Sequence, residues 1–184
     1  MASWKIEDDC LAPGNKYRVD YIGPNPFKVA NVIKGVLRRV MEVETKDVWE
    51  RDFRWDITGD PRGFYNRWYV LKGRDAYSKV FVEVTFQGLQ PADPTKDGKL
   101  VISIGGRVRT QFKLDSAFRK SPLFSGRTSL GGLGEIGGLL WFWNRIFYND
   151  IRRRHIRWCT ERVEMIWREL RSVLKMPVPE MSTI

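Results

Sequence analysis

One segment limits the choice of fold more than any other. Asp47–Ile57 (DVWERDFRWDI) places Trp49, Phe53, Trp55 and Ile57 on one parity, with Glu50, Asp52, Arg54 and Asp56 on the other. Period two is the mark of a half-buried strand, and a helix would scatter those side chains around its axis. Thr58–Gly63 (TGDPRG) is turn chemistry, and Phe64–Lys72 returns as a second strand. Pairing Ile57 with Phe64 sets Trp55 opposite Asn66, Phe53 opposite Trp68 and Arg51 opposite Val70, so that the apolar stripes share a face. Lys16–Gly23, Lys79–Gln87 and Leu100–Phe112 also alternate, the last with Gly105-Gly106 predicting a bulge or bend. Five strands are therefore expected.

The period changes in two places. Phe27, Ala30, Ile33, Val36, Leu37, Val40 and Met41 recur at threes and fours, which predicts an N-terminal helix over about 25–44. Asn25 suits its N-cap and Pro26 its first position. Ile156, Cys159, Val163, Ile166, Leu170 and Val173 repeat the spacing within a long C-terminal helix, about 139–176, with a kink or break near Asn149. Residues 114–138 are rich in Ser, Gly and Arg and show no period. They predict a mobile Gly-rich loop, and their glycines do not form the GxxxxGK[ST] phosphate loop. The expected organisation is an N-terminal extension (1–15), one α+β domain (16–176) and a tail (177–184). Its core is an antiparallel sheet with helices on one face.

A chain of 184 residues with 42% hydrophobic content suits one domain and excludes a fully disordered polymer. It has no run of about 18 apolar residues. The formal charge is +10 and is unevenly placed. Residues 1–104 carry 17 basic and 15 acidic side chains, whereas residues 105–184 carry 15 and 7. That asymmetry points to an anionic partner, whether RNA or other nucleic acid, an anionic membrane surface or an acidic protein, with a solubilising surface as the plain alternative. Cys10 and Cys159 match no metal spacing and no CxxC motif. The acidic opening MASWKIEDDC lacks an apolar signal core, so two free thiols and a cytoplasmic location are expected, with docking at a membrane or ribosome as an option.

The order strand, helix, four antiparallel strands, long helix resembles the helix-grip fold of the START and polyketide-cyclase-like (SRPBCC) superfamily over about Lys16–Met176. Five strands are read here where that superfamily usually has six or seven, and a cystatin-like arrangement is the rival. The resemblance implies an apolar cavity between the sheet and the C-terminal helix, which relatives use to hold lipids or other hydrophobic ligands.

His155, the only histidine, would have to carry any Ser-His-Asp or Cys-His device, and inside a helix it reads as structural. No residues are assigned to catalysis or to a metal, and no cofactor is expected. Arg51 and Asn66 project from the otherwise apolar hairpin face, which makes them pocket candidates beside Phe53, Trp55 and Trp68. Arg107, Arg109, Lys113, Arg119, Lys120, Arg127, Arg152, Arg153, Arg154 and Arg157 form the candidate surface for an anionic partner. Trp141, Phe142 and Trp143 are consecutive, so one helix face cannot bury all three. The remainder must be covered by the Gly-rich loop over a packed core, by a second subunit, by a ligand or by a bilayer; rings followed by arginines also suit RNA, and Leu139–Phe147 is the stretch for self-association. The function expected is a non-enzymatic binding domain with an apolar pocket for a hydrophobic small molecule and a basic surface. The alternatives are an RNA- or ribosome-associated protein, a peripheral membrane protein, or a cyclase- or hydrolase-like enzyme using the same cavity.

Overall fold

Each of the five alternating segments is a strand in the computed structural model, which describes residues 3–93, 95–113, 146 and 148–177. They are β2 (Tyr17–Pro24), β3 (Val48–Asp56), β4 (Arg62–Gly73), β5 (Ser78–Gln90) and β6 (Asp97–Lys113). A sixth strand, β1 (Ser3–Asp9), corrects the expected extension at 1–15. Its alternation is short: Trp4 and Ile6 share one parity against Lys5 and Glu7 on the other, and Asp8 interrupts the apolar row. Backbone pairing with β6 makes it a strand. All pairings are antiparallel, in the order β1-β6-β5-β4-β3, with β2 also on β6.

Among the described residues the fold is α+β, with six strands in one antiparallel sheet and two α-helices, α1 (Lys28–Met41) and α2 (Asn149–Val173). The helix α2 begins at Asn149, where the sequence predicts a kink or break; residues 139–145 and 147 lie outside the described residues. Nor does Asn25 cap α1. It takes a positive φ of 47°, and the Gln90 side chain, 63 positions away, accepts the Phe27 N–H at 3.2 Å. Glu42 ends the helix with a φ of 54°, short of the expected Glu44. Both helices lie on one face of the sheet. Ile33 and Leu37 of α1, Cys159, Val163 and Ile166 of α2, and Val80, Val82, Val84, Ile102 and Ile104 of the sheet are all fully buried. Burying an aliphatic side chain of this size contributes about 1.5–3 kcal/mol, so this shared layer is the main stabilising element.

The hairpin register differs from the expected one. Trp55 pairs with Phe64 and Phe53 with Asn66, and a bulge between Glu50 and Asp52 then brings Glu50 opposite Trp68 and Val48 opposite Val70. Two local effects account for the shift. Asp56 Oδ1 accepts both the Thr58 N–H and the Thr58 hydroxyl, so the turn starts one residue early, Ile57 leaves the strand, and the register shifts by two. The bulge then adds one residue and reverses the side-chain parity beyond it.

Cys10 and Cys159 form a disulfide, which corrects the expectation of two free thiols. Spacing could not reveal it, because the partners stand 149 positions apart and meet only through the tertiary fold. On the chain-entropy account, closing such a loop stabilises the folded state by about 5 kcal/mol. The bridge lies over Gly106. A Cβ there would stand 2.7 Å from Cys159 Sγ, 2.9 Å from Val163 Cγ2 and 3.3 Å from Cys10 Sγ. Gly105-Gly106 therefore marks no bulge, since the β5–β6 register runs unbroken through it, and Gly106 is there to make room. A second tie joins the helices. Arg162 donates to Val40 O at 2.9 Å and to Glu42 Oε1 at 2.8 Å, placing a cation at the C-terminus of α1.

Gly106→Ala tests this packing. Overfilling a tight core typically costs about 1–3 kcal/mol. Urea denaturation should show a loss of that size, while Gly35→Ala, whose Cβ meets nothing within 4 Å, should not destabilise the protein.

Candidate functional site

The helices cover one face of the sheet, and the strands turn a second set of side chains to the other. That open face carries a groove of about 550 Å³. Its floor follows the cross-strand row Gly105–Glu83–Tyr69–Trp49 from β6 to β3. A flanking row runs Asp9–Arg107–Phe81. Arg67 and Arg51 line the far side, and Asn15 and Lys16, from the connection between β1 and β2, line the near side.

Aromatic rings and guanidinium groups interleave across this face. Trp49 and Tyr69 stack with centroids 6.1 Å apart and planes 19° apart. Arg51 and Arg67 stand 5.6 and 5.3 Å from the Tyr69 centroid, and Arg109 lies 4.8 Å from that of Phe81. Such cation–π contacts hold long side chains in place while leaving their charge undiminished. Two carboxylates are neutralised within the groove. Glu83 accepts from Arg67 Nη2 at 2.8 Å and lies 3.9 Å from Lys16 Nζ. Glu7 is flanked by Lys5 at 2.8 Å and Arg109 at 2.6 Å, which together hold its carboxyl below the usual range. Arg51 and Arg107 are exposed and, among the described residues, have no carboxylate within ion-pair distance.

The structure redistributes the residues singled out in the sequence. Phe53 and Trp55 stay on the helix side, where Trp55 meets Phe27 edge-on at 4.6 Å. Asn66 and Trp68 are buried there, and Asn66 Oδ1 and Trp68 Nε1 find no hydrogen-bond partner. Arg51 does not join them, because the bulge carries it to the open face beside Arg107 and Arg109. The expected pocket set is thus split between the two faces. So is the expected basic surface. Arg153, Arg154 and Arg157 are exposed on α2, on the opposite side of the sheet from the groove, and Arg152 is 3.5 Å from Asp8. Arg119, Lys120, Arg127, Trp141, Phe142 and Trp143 lie outside the described residues, as does the side chain of Lys113. Of the stretch Leu139–Phe147, only Ile146 is described, and it is exposed. Sequence reasoning misses Trp49, Arg67, Tyr69, Phe81 and Glu83. The signal is present in β4 and β5, whose outward parity carries aromatic rings among charges.

His155 anchors a separate, buried cluster. Its Nε2 lies 2.7 Å from Asp75 Oδ2, and Tyr148 donates to the same oxygen at 2.7 Å. Ser78 Oγ is 2.7 Å from the Tyr148 hydroxyl and 2.8 Å from Thr110 Oγ1. Burial pushes the Asp75 carboxyl up. Hydrogen bonds from Tyr148, His155 and the amides of Tyr77 and Ser78 outweigh this and hold it below the usual range. An ionised carboxylate only accepts, so His155 carries its proton on Nε2. Burial raises the Tyr148 phenol. Ser78 is fully buried and hydrogen-bonds to Tyr148 rather than to His155, so these groups lack the nucleophile–base contact of a triad. They tie the β4–β5 turn to the start of α2.

Among the described residues, no cluster of three or more His, Cys, Asp or Glu could hold a metal ion. No helix among them is long and apolar enough to cross a membrane. No protein-family model matches the chain, and no curated protein matches it.

Acid titration tests the Asp75 cluster. Folding lowers this pKa, so the carboxylate contributes stability above the unfolded-state value of about 4 and loses it as pH falls through the folded-state value. Asp75→Asn should be less stable at neutral pH and show a shallower loss of urea midpoint below about pH 4. Parallel curves for the two proteins would remove Asp75 from the acid response.

Proposed function

We propose that this protein is a non-enzymatic binding domain that takes single-stranded RNA on the open face of its sheet. The observation that carries the reading is the pairing of two uncompensated guanidinium groups, Arg51 and Arg107, with the stacked rings of Trp49 and Tyr69 in one groove. Guanidinium groups neutralise phosphates, and exposed rings stack on unpaired bases whatever their identity. The neutralised carboxylates Glu7 and Glu83 add acceptors that can meet base N–H groups without repelling the backbone.

Concavity favours a strand over a bilayer. A flat lipid surface would meet the rims but not the floor at Tyr69 and Glu83, whereas a polymer one nucleotide wide can follow it. The basic face of α2 is left as a solvated surface. The disulfide favours a compartment in which such bonds persist over the reducing cytoplasm expected from the sequence, with intracellular proteins of hyperthermophiles as the known exception.

Fluorescence anisotropy with a labelled single-stranded RNA, repeated over a potassium chloride series, tests the proposal. Log affinity should fall linearly with log salt, and Arg51→Ala and Arg107→Ala should each weaken binding and lower the slope by about one. Arg153→Ala should change neither. Binding to phosphatidylserine vesicles with undetectable affinity for RNA at low salt would overturn the RNA reading in favour of a membrane.

A further inference from the structure

We propose that the Cys10–Cys159 disulfide is a positioning element of the groove, fixing its near wall so that RNA affinity depends on the bridge. This rests on the RNA-binding reading above. The wall is the chain from Glu7 to Lys16, which supplies Glu7, Asp9, Asn15 and Lys16 to the groove.

The edge of β6 that faces this wall is discontinuous. The β1 pairing ends at Asp9–Arg107 and the β2 pairing begins at Tyr17–Ile104, so Gly105 and Gly106 fall between the two ladders. Among the described residues, the Cys10 N–H alone, donating to Gly106 O at 3.0 Å, spans that gap. Residues 12–16 are exposed and belong to neither strand. On the groove side, among the described residues, Lys16 is held by the 3.9 Å approach of its Nζ to Glu83, an ion pair of a kind that contributes little in water.

The firm anchors of the wall lie on the other face of the sheet. Asp9 and Cys10 are consecutive in an extended chain, so Asp9 points into the groove while the Cys10 side chain points to the helices. There it is bonded to Cys159 of α2, and the Thr160 hydroxyl donates to Cys10 O at 2.6 Å. Leu11 N–H donates to Asp9 Oδ1 at 2.9 Å, carrying the constraint one residue into the turn. Cys10 is 5% exposed and Cys159 wholly buried, so a reductant reaches the bridge only when the region opens. It acts as a fixed tie. A wall held before binding spares the complex the entropy of ordering it afterwards.

The test compares three variants with the unaltered protein under conditions where circular dichroism shows each one folded. The double variant Cys10→Ala, Cys159→Ala should bind the labelled RNA about tenfold more weakly, as expected if a residue or so must be ordered on binding. Hydrogen exchange should accelerate at residues 11–16 in that variant with β4 and β5 unchanged. Leu170→Ala, which destabilises α2 far from the wall, should bind as the unaltered protein does. Thr160→Val removes the second tie with the bridge intact and should weaken binding two- to threefold; it carries the test if the double variant does not fold. Unchanged affinity and exchange in the wall variants would overturn the positioning role while leaving the RNA reading intact. So would an equal loss of affinity in Leu170→Ala, because the effect would then be one of general stability. If the unaltered protein does not bind RNA at all, the reading beneath the proposal fails and the proposal fails with it.

Discussion

Strand β6 is hydrogen-bonded along both edges, and the rest of the molecule is arranged by how that double pairing is completed. One edge is taken by β5 without a break, from Leu89–Lys99 to Ser78–Thr110. The other is shared end to end by β1 and β2, which cannot both reach the middle. Backbone groups must find partners wherever they are buried, so the join is a weak point that the fold has to close. It closes with Cys10, whose N–H bonds Gly106 O and whose sulfur is bonded to α2 over the space left by the missing Gly106 side chain. The same join opens onto the groove on the far face.

Among the described residues both helices lie on one face, and the side chains of the other face stabilise one another. Rings and guanidinium groups do this by stacking across strands, as Arg67 does on Tyr69 and Arg109 on Phe81. Pairs such as Arg67–Glu83 and Arg109–Glu7 contribute little to stability at such an exposed surface. Their main effect is electrostatic. They neutralise Glu7 and Glu83; Asp9 accepts the Leu11 N–H, and Arg51 and Arg107 stand without a carboxylate partner among the described residues. The formal excess of +10 is therefore less informative than where the uncompensated cations lie.

Much of this was legible in the residues, for identifiable reasons. Alternation in DVWERDFRWDI and its counterparts reports burial on one face, so the strands of the sheet could be read from it. The three-and-four spacing of Ile33, Leu37, Cys159, Val163 and Ile166 likewise reports the helix faces that pack on them. What pattern cannot report is any effect set by one side chain's hydrogen bonds. The Asp56–Thr58 contact moved the hairpin by two residues, and a single bulged position carried Arg51 and Trp49 to the face opposite Phe53. β1 escaped because its alternation, Trp4 and Ile6 against Lys5 and Glu7, is short and is interrupted by Asp8. The disulfide escaped because no local rule links residues 149 positions apart.

The claim on which function depends is that the open face of the sheet, and not the basic face of α2, meets the partner. Side-chain NMR during titration with single-stranded RNA tests it most directly, because arginine Nε and tryptophan Nε1 resonances report on each surface separately. The Arg51, Arg107 and Trp49 signals should shift together with a single affinity, while those of Arg153, Arg154 and Arg157 stay in place. Shifts confined to the three α2 arginines, with Trp49 and Arg51 unmoved, would contradict the groove as the binding site.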